Sequence, residues 1–178
     1  MALLRAMNVG GHAVIRMEDL RKLFESFGLE NVSTHIQSGN VLFTSPESSA
    51  SKIEKSLDIK LAKKFGPKAK AFVLTPAQLK KAAAANPLEP EKLESKRRCH
   101  VMFLSRKPTP AQFKALKALE GKEYRFELGP GVLYFSYPVS EGGPPRRAVN
   151  IERVLDLLGT ARTWKVVDQL IEKIEKLK

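Results

Sequence analysis

The sequence predicts an α+β protein built from two related halves. Three observations predict it. The hydrophobic pattern runs strand, helix, strand, strand, helix, strand through residue 74, and most of that order returns after residue 98. The stretch between them, residues 86–98, is poor in apolar side chains and carries Pro87 and Pro90. A short echo also marks the third strand of each half: Ser38-Gly39-Asn40-Val41-Leu42-Phe43 and Pro130-Gly131-Val132-Leu133-Tyr134-Phe135.

The elements of the first half follow in order. Residues 2–9 alternate loosely and read as a strand that Gly10-Gly11 ends. Met17, Leu20, Leu23, Phe24 and Phe27 recur at helical spacing, with Gly28 as the stop. Residues 31–37 read as a second strand, Ser38-Gly39 as a turn and residues 40–44 as a third strand. Ile53, Leu57, Leu61 and Phe65 share one helix face, and Gly66 ends that helix. Residues 71–74 are a fourth strand. The βαββαβ order is satisfied when two helices cover one face of a four-stranded antiparallel sheet, the ferredoxin-like arrangement. Thr75-Pro76 then opens a further helix, with threonine as cap and proline at the first helical position, and Asn86-Pro87 closes it.

The second half reads in the same way. Residues 99–105 are a strand. Thr109-Pro110 caps a helix that turns Phe113, Leu116 and Leu119 inward and stops at Gly121. Residues 123–128 and 132–137 make a hairpin around Gly129-Pro130-Gly131. Ile151, Val154, Leu155 and Leu158 make a helix ended by Gly159, and Trp164, Val167, Leu170, Ile171, Ile174 and Leu177 make the last one. The reading is βαββα plus a terminal helix. The repeated Thr-Pro-Ala-Gln at 75–78 and 109–112 falls at different places in the two halves, so it marks two good helix starts and not a duplication. The expected organisation is a ferredoxin-like half at 1–85, a linker at 86–98 and a second half with a C-terminal helix at 99–178. The halves are expected to pack together, because a half of some 85 residues buries only a modest core.

Composition excludes several classes. With 43% hydrophobic and 28% charged residues the chain is an ordinary folded protein and not a disordered one. No apolar run reaches the roughly 18 residues that span a bilayer. Arg5 and Asn8 interrupt the start too early for a signal peptide. The single cysteine, Cys99, excludes an internal disulfide framework and fits a reducing cytosol, so a cytoplasmic location is expected. His12, His35 and His100 show no metal-ligand spacing, and no metal or other cofactor is expected.

Charge is the one strong compositional signal. The formal net charge is +12. Lys and Arg outnumber Asp and Glu by 13 to 8 through residue 89 and by 18 to 11 after it, so there is no basic tail. Such an excess solubilises a protein, and it also raises encounter rates with anions and nucleic acid.

Three places offer chemistry. In Asn8-Val9-Gly10-Gly11-His12, glycines between a strand and a helix let backbone N–H groups approach an anion, with Arg5 and Arg16 alongside; a plain tight turn has the same composition. In Gln37-Ser38-Gly39-Asn40 a turn carries amides and a hydroxyl. If the first and third strands are antiparallel neighbours, Asn8 and Gly10 come beside Gln37, Ser38 and Asn40 and form a polar end of the sheet. That cluster can bind a small polar ligand or its own loops. Arg162 and Trp164 open the terminal helix, where an arginine can reach an anion and a tryptophan can anchor packing or stack a base.

These segments also carry a resemblance. Leu3-Leu4-Arg5-Ala6-Met7-Asn8-Val9-Gly10-Gly11, Ile36-Gln37-Ser38-Gly39-Asn40-Val41-Leu42-Phe43 and Thr160-Ala161-Arg162-Thr163-Trp164 resemble, in order and spacing, the bacterial domain-of-unknown-function family 1697. The chain departs from the family pattern at Ala6, where glycine is usual, and at Thr163, where asparagine is usual. The resemblance implies an α+β fold of two similar halves and no activity.

Catalytic signals are weak. Cys99 and His100 are adjacent, so on a strand they face opposite ways. Ser38 lies in Gln-Ser-Gly and lacks the nucleophile-elbow pattern. His35, two residues from Gln37 on the same strand face, is the best acid/base candidate. The RNA-recognition module shares the βαββαβ order, but its stacking aromatics have no counterparts in the first strand, and Phe43 is the only aromatic in the third. The function expected is therefore non-enzymatic binding of an anionic ligand, either nucleic acid or a phosphate-bearing metabolite, weak and salt-dependent. The alternatives are an enzyme on a small anionic substrate at the Asn8/Gln37/Asn40 end, or an oligomeric scaffold.

Overall fold

A computed structural model describes residues 1–5, 16–36, 39–93, 96–121, 123–139 and 148–176. The chain divides into two compact units, Met1–Pro76 and Ala77–Lys178.

The first unit contains β1 (Ala2–Arg5), α1 (Met17–Glu25), β2 (Glu30–His35), β3 (Asn40–Thr44), α2 (Ala50–Phe65) and β4 (Lys70–Val73). Its antiparallel sheet has the order β2-β3-β1-β4. Ala2, Leu4, Val41, Ala71 and Val73 face one way and pack with Leu20 and Phe24 of α1 and Leu57 and Leu61 of α2. The opposite sheet face carries Leu3, Leu42 and Phe72, which are also buried. Ser49 caps α2 by accepting from the Lys52 N–H at 3.4 Å. Gly66, at φ +90°, ends the helix in a conformation that glycine adopts without strain.

After α3 (Pro76–Ala84) and α4 (Pro90–Leu93), the second unit continues with β5 (Arg97–Leu104), α5 (Pro110–Lys117), β6 (Arg125–Leu128) and β7 (Val132–Pro138). It closes with α6 (Ile151–Leu155), β8 (Gly159–Thr163) and α7 (Trp164–Lys176). Its antiparallel sheet has the order β6-β7-β5-β8, the same topology as the first. Met102, Phe126, Leu133 and Phe135 pack with Leu116 of α5 and with Ile151 and Leu155 of α6. On the other face Tyr134 is fully buried, and its hydroxyl donates to the Ala82 carbonyl of α3 at 2.6 Å. A reciprocal capping box joins Thr109 and Gln112 at the start of α5.

The two sheets with their helices and the C-terminal helix are the α+β architecture read from the sequence. Four details differ. First, α3 belongs with the second unit, tied there by the Tyr134–Ala82 bond and the Lys80–Glu175 ion pair. Sequence order alone attaches it to the strand it follows. Second, the span 86–98 is not all linker: it contains α4 and the start of β5, where Arg97 and Arg98 pair with Pro138 and Tyr137. Third, α5 ends at Lys117, so Leu119 leaves the helical period and is exposed. Fourth, the second half has a fourth strand, β8, where the sequence reading has none. Its residues Gly-Thr-Ala-Arg-Thr show no apolar alternation, and the strand is specified by pairing with β5. The preceding helix stops early because Asp156 takes a left-handed conformation (φ 48°) and the Glu152 carboxylate accepts the Gly159 N–H at 2.8 Å. Leu158 is consequently exposed.

Candidate functional site

The expected antiparallel pairing of the first and third strands is present. Leu3 lies opposite Asn40, and the Leu4 N–H donates to the Gly39 carbonyl at 2.8 Å. The end of β1 therefore meets the start of β3. Of the expected ligand-binding residues in this half, Arg5 and Asn40 can be placed. Asn8, Gly10, Gly11, Gln37 and Ser38 lie outside the described residues, as does the loop-to-turn neighbourhood expected of 8–11 and 37–40, apart from its strand pairing. Asn40 is fully buried, and its Nδ2 donates to the His35 carbonyl at 3.0 Å, tying the β2–β3 connection together. The Arg5 guanidinium donates to the Lys68 carbonyl at 3.1 Å, which fixes it beside the chain that leaves α2 and enters β4.

Arg162 and Trp164 belong to the second unit, at the junction of β8 and α7. Arg162 is buried; its Nη1 donates to Thr160 Oγ1 and to the Ala161 carbonyl, both at 2.8 Å. Burial pulls its guanidinium down to about 10. Trp164 is half-buried as the first residue of α7.

One feature is not visible in the charge counts of the sequence. The only acids of α2, Glu54 and Asp58, both turn to the edge strand β4. Glu54 accepts the Val73 N–H at 2.8 Å, and burial raises its carboxyl above the usual range. Asp58 accepts the Ala71 N–H at 2.9 Å and pairs with Lys70 at 3.0 Å. These bonds satisfy an otherwise open strand edge. They also strip the outer side of α2 of negative charge, where Lys55 and Lys63 are exposed; Lys64, half a turn around the helix from Lys55, acts on Asp19 of α1 instead, and Lys68 follows the helix. Lys63 and Lys64 complement the negative end of the helix dipole. Through the Arg5–Lys68 bond this row reaches Arg5. The spacing of 54 and 58, one helical turn apart, is the signal that could have revealed it.

The described residues offer little for catalysis. No three His, Cys, Asp or Glu side chains among them are placed to hold a metal ion. Cys99 is buried, and His100 lies on the opposite face of β5, stacked on Phe135 (centroids 4.6 Å apart) and Tyr137 (5.2 Å). Burial lowers His100 to about 4, so it is a neutral aromatic partner near pH 7. The sheet face that would stack bases in an RNA-recognition module holds the buried Leu3, Leu42 and Phe72 here. No helix among the described residues is long and apolar enough to cross a membrane.

No match was found among curated proteins. Among solved structures the fold is similar to that of the conserved bacterial protein SP0830 from Streptococcus pneumoniae. The TM-score is 0.74 and the identity 23%, covering 96% of this chain and 95% of that one. The family described as Protein of unknown function (DUF1697) matches residues 1–134. The match covers most of a chain whose two sheets share one βαββαβ topology, and the protein belongs to the DUF1697 family.

Proposed function

We propose that the protein is a non-enzymatic binder of polyanions, with nucleic acid as the ligand class. One observation carries the reading: the carboxylates of α2 are spent on β4, which leaves Lys55, Lys63 and Lys68 as basic groups without acidic neighbours on that helix, with Arg5 beside Lys68. Clustered like charges repel one another, and phosphates spaced along a strand relieve that repulsion while releasing counterions. The buried sheet face removes the usual stacking platform, so contacts fall on phosphate and sequence preference is weak. A phosphate-bearing metabolite would use the same lysines with fewer contacts. In this reading Asn8, Gly10, Gly11, Gln37 and Ser38 supply further amide, hydroxyl and backbone donors, whereas the buried Asn40 amide is held by the His35 carbonyl and orders the turn. Arg162 and Trp164 form a separate candidate contact.

Fluorescence anisotropy with single-stranded and duplex DNA and RNA tests the reading across a salt series. The expected result is measurable binding at about 50 mM salt that falls by about a hundredfold or more by about 200 mM. Combined Lys55→Ala, Lys63→Ala and Lys68→Ala should weaken it far more than Arg162→Ala. Absence of binding at low salt would overturn the nucleic-acid reading. Equal binding by the triple variant would move the contact away from α2.

A further inference from the structure

The first unit holds a pocket of about 290 Å³ whose lining includes none of Arg5, Lys55, Lys63 and Lys68. It opens between the end of α1, the loop after β3 and the first turns of α2. Leu29 and Leu57, both buried, and the half-buried Ile53 form an apolar floor, and Phe27 supplies an aromatic wall. Gly28, at φ +79°, turns the chain at the mouth and leaves open space where a Cβ would stand.

The polar groups at the rim are unequal. Glu47 is committed to the fold: it accepts the Ser49 N–H at 2.8 Å, which lowers its carboxyl, and it pairs with Lys52 at 3.5 Å. Lys60 lies over the Phe27 ring, 4.5 Å from its centroid, and forms no ion pair among the described residues. The Lys52–Glu47 pair cancels, so the pocket has an apolar body and one uncompensated positive charge above an aromatic face. Pockets near this size bind small ligands through apolar area, with a few polar groups setting orientation.

From this geometry we infer that the pocket binds a small amphipathic monoanion: a flat apolar ring system seated on Leu29, Ile53 and Leu57, with its anionic group on Lys60. This site does not depend on the polyanion reading. Lys60 is its anchor, whereas Lys63, one turn further along α2, lies outside the pocket.

The test uses two probes with nearly the same rings, 8-anilinonaphthalene-1-sulfonate and the uncharged N-phenyl-1-naphthylamine, titrated by fluorescence into the full chain. The sulfonate should bind saturably at one site, and the neutral probe about tenfold more weakly. Lys60→Gln should weaken the sulfonate about tenfold and leave the neutral probe unchanged. Ser56 is an exposed lining residue, so Ser56→Trp fills the mouth without disturbing the core and should abolish binding of both. Lys63→Gln should leave both probes unaffected while weakening oligonucleotide binding, which separates this site from the basic row. Wild-type sulfonate binding by either Lys60→Gln or Ser56→Trp would overturn the inference.

Discussion

The two units share a topology but cover their sheets by different means. In the first, α2 runs for 16 residues along the sheet; in the second, the equivalent α6 has 5. The core of the first is mainly aliphatic, with Leu20, Leu57 and Leu61 against Ala2, Leu4 and Val41. The second makes up for its short helix with rings: Tyr124 stacks on Phe126 at 5.5 Å, and His100, Phe135 and Tyr137 stack alongside. The contrast shows that one strand order tolerates either filling, provided that the volume is occupied. It also bears on where exposed charge can sit. A long helix has an outer side to decorate with lysines, and a helix of little more than one turn is used up by its contacts.

Breaking the aromatic filling should have the largest effect. Phe126 is fully buried, and Phe126→Ala should cost about 4 kcal/mol by urea denaturation. Leu57→Ala, in the aliphatic core, should cost about 3 kcal/mol. The reverse order would mean that the rings of the second unit are less tightly packed than their stacking implies.

The next effect belongs to His100. Its ordinary value of 6.5 falls to about 4 in the fold. Between those values the unfolded chain binds a proton that the folded chain does not, so stability falls as pH drops from 6.5 towards 4. The loss reaches about 3 kcal/mol at most. Above 6.5 both states are neutral and the contribution vanishes. His100→Phe keeps the stacking and should flatten the acid limb of thermal stability measured from pH 7 to 4.5. An unchanged acid limb would show that His100 does not titrate as its burial requires.

Gly129→Ala should cost about 2 kcal/mol. A Cβ there runs into the ring of Tyr134, 2.6 Å from a hydroxyl that the Ala82 carbonyl holds in place. Differential scanning calorimetry should show a lowered melting temperature, and Tyr134→Phe in the same background should recover little, since the ring remains.

The smallest effect compares helix starts. Thr109 and Gln112 satisfy each other's N–H groups in the second unit, whereas Ser49 makes a single 3.4 Å bond in the first. Thr109→Ala should cost about 1 kcal/mol and Ser49→Ala about half that, by chemical denaturation.

Much of this fold was legible in local pattern. Leu57, Leu61 and Phe65 recur with the period of a helix face, Gly66 closes that helix, Thr109-Pro110 opens another, and Val132 to Phe135 reads as a strand in any context. β8 was not legible, since Gly159 to Thr163 lacks apolar alternation and is a strand only because β5 offers hydrogen bonds. The placement of two candidate residues was legible. Arg5 and Asn40 fell at the sheet end that antiparallel pairing requires. The basic row was missed because charge counts do not say which way Glu54 and Asp58 turn.

The sequence by itself determined the elements whose causes are short-range: the periodic helix faces, the caps, the glycine stops and the alternating strands. Tertiary structure alone decided that α3 belongs with the second unit, that Leu158 and Leu119 face solvent, and that both acids of α2 turn to β4. The physical reason is range. A cap or a period acts over a few residues, whereas the bonds from Tyr134 to Ala82, and from Ala71 and Val73 to Asp58 and Glu54, exist only once distant segments have met.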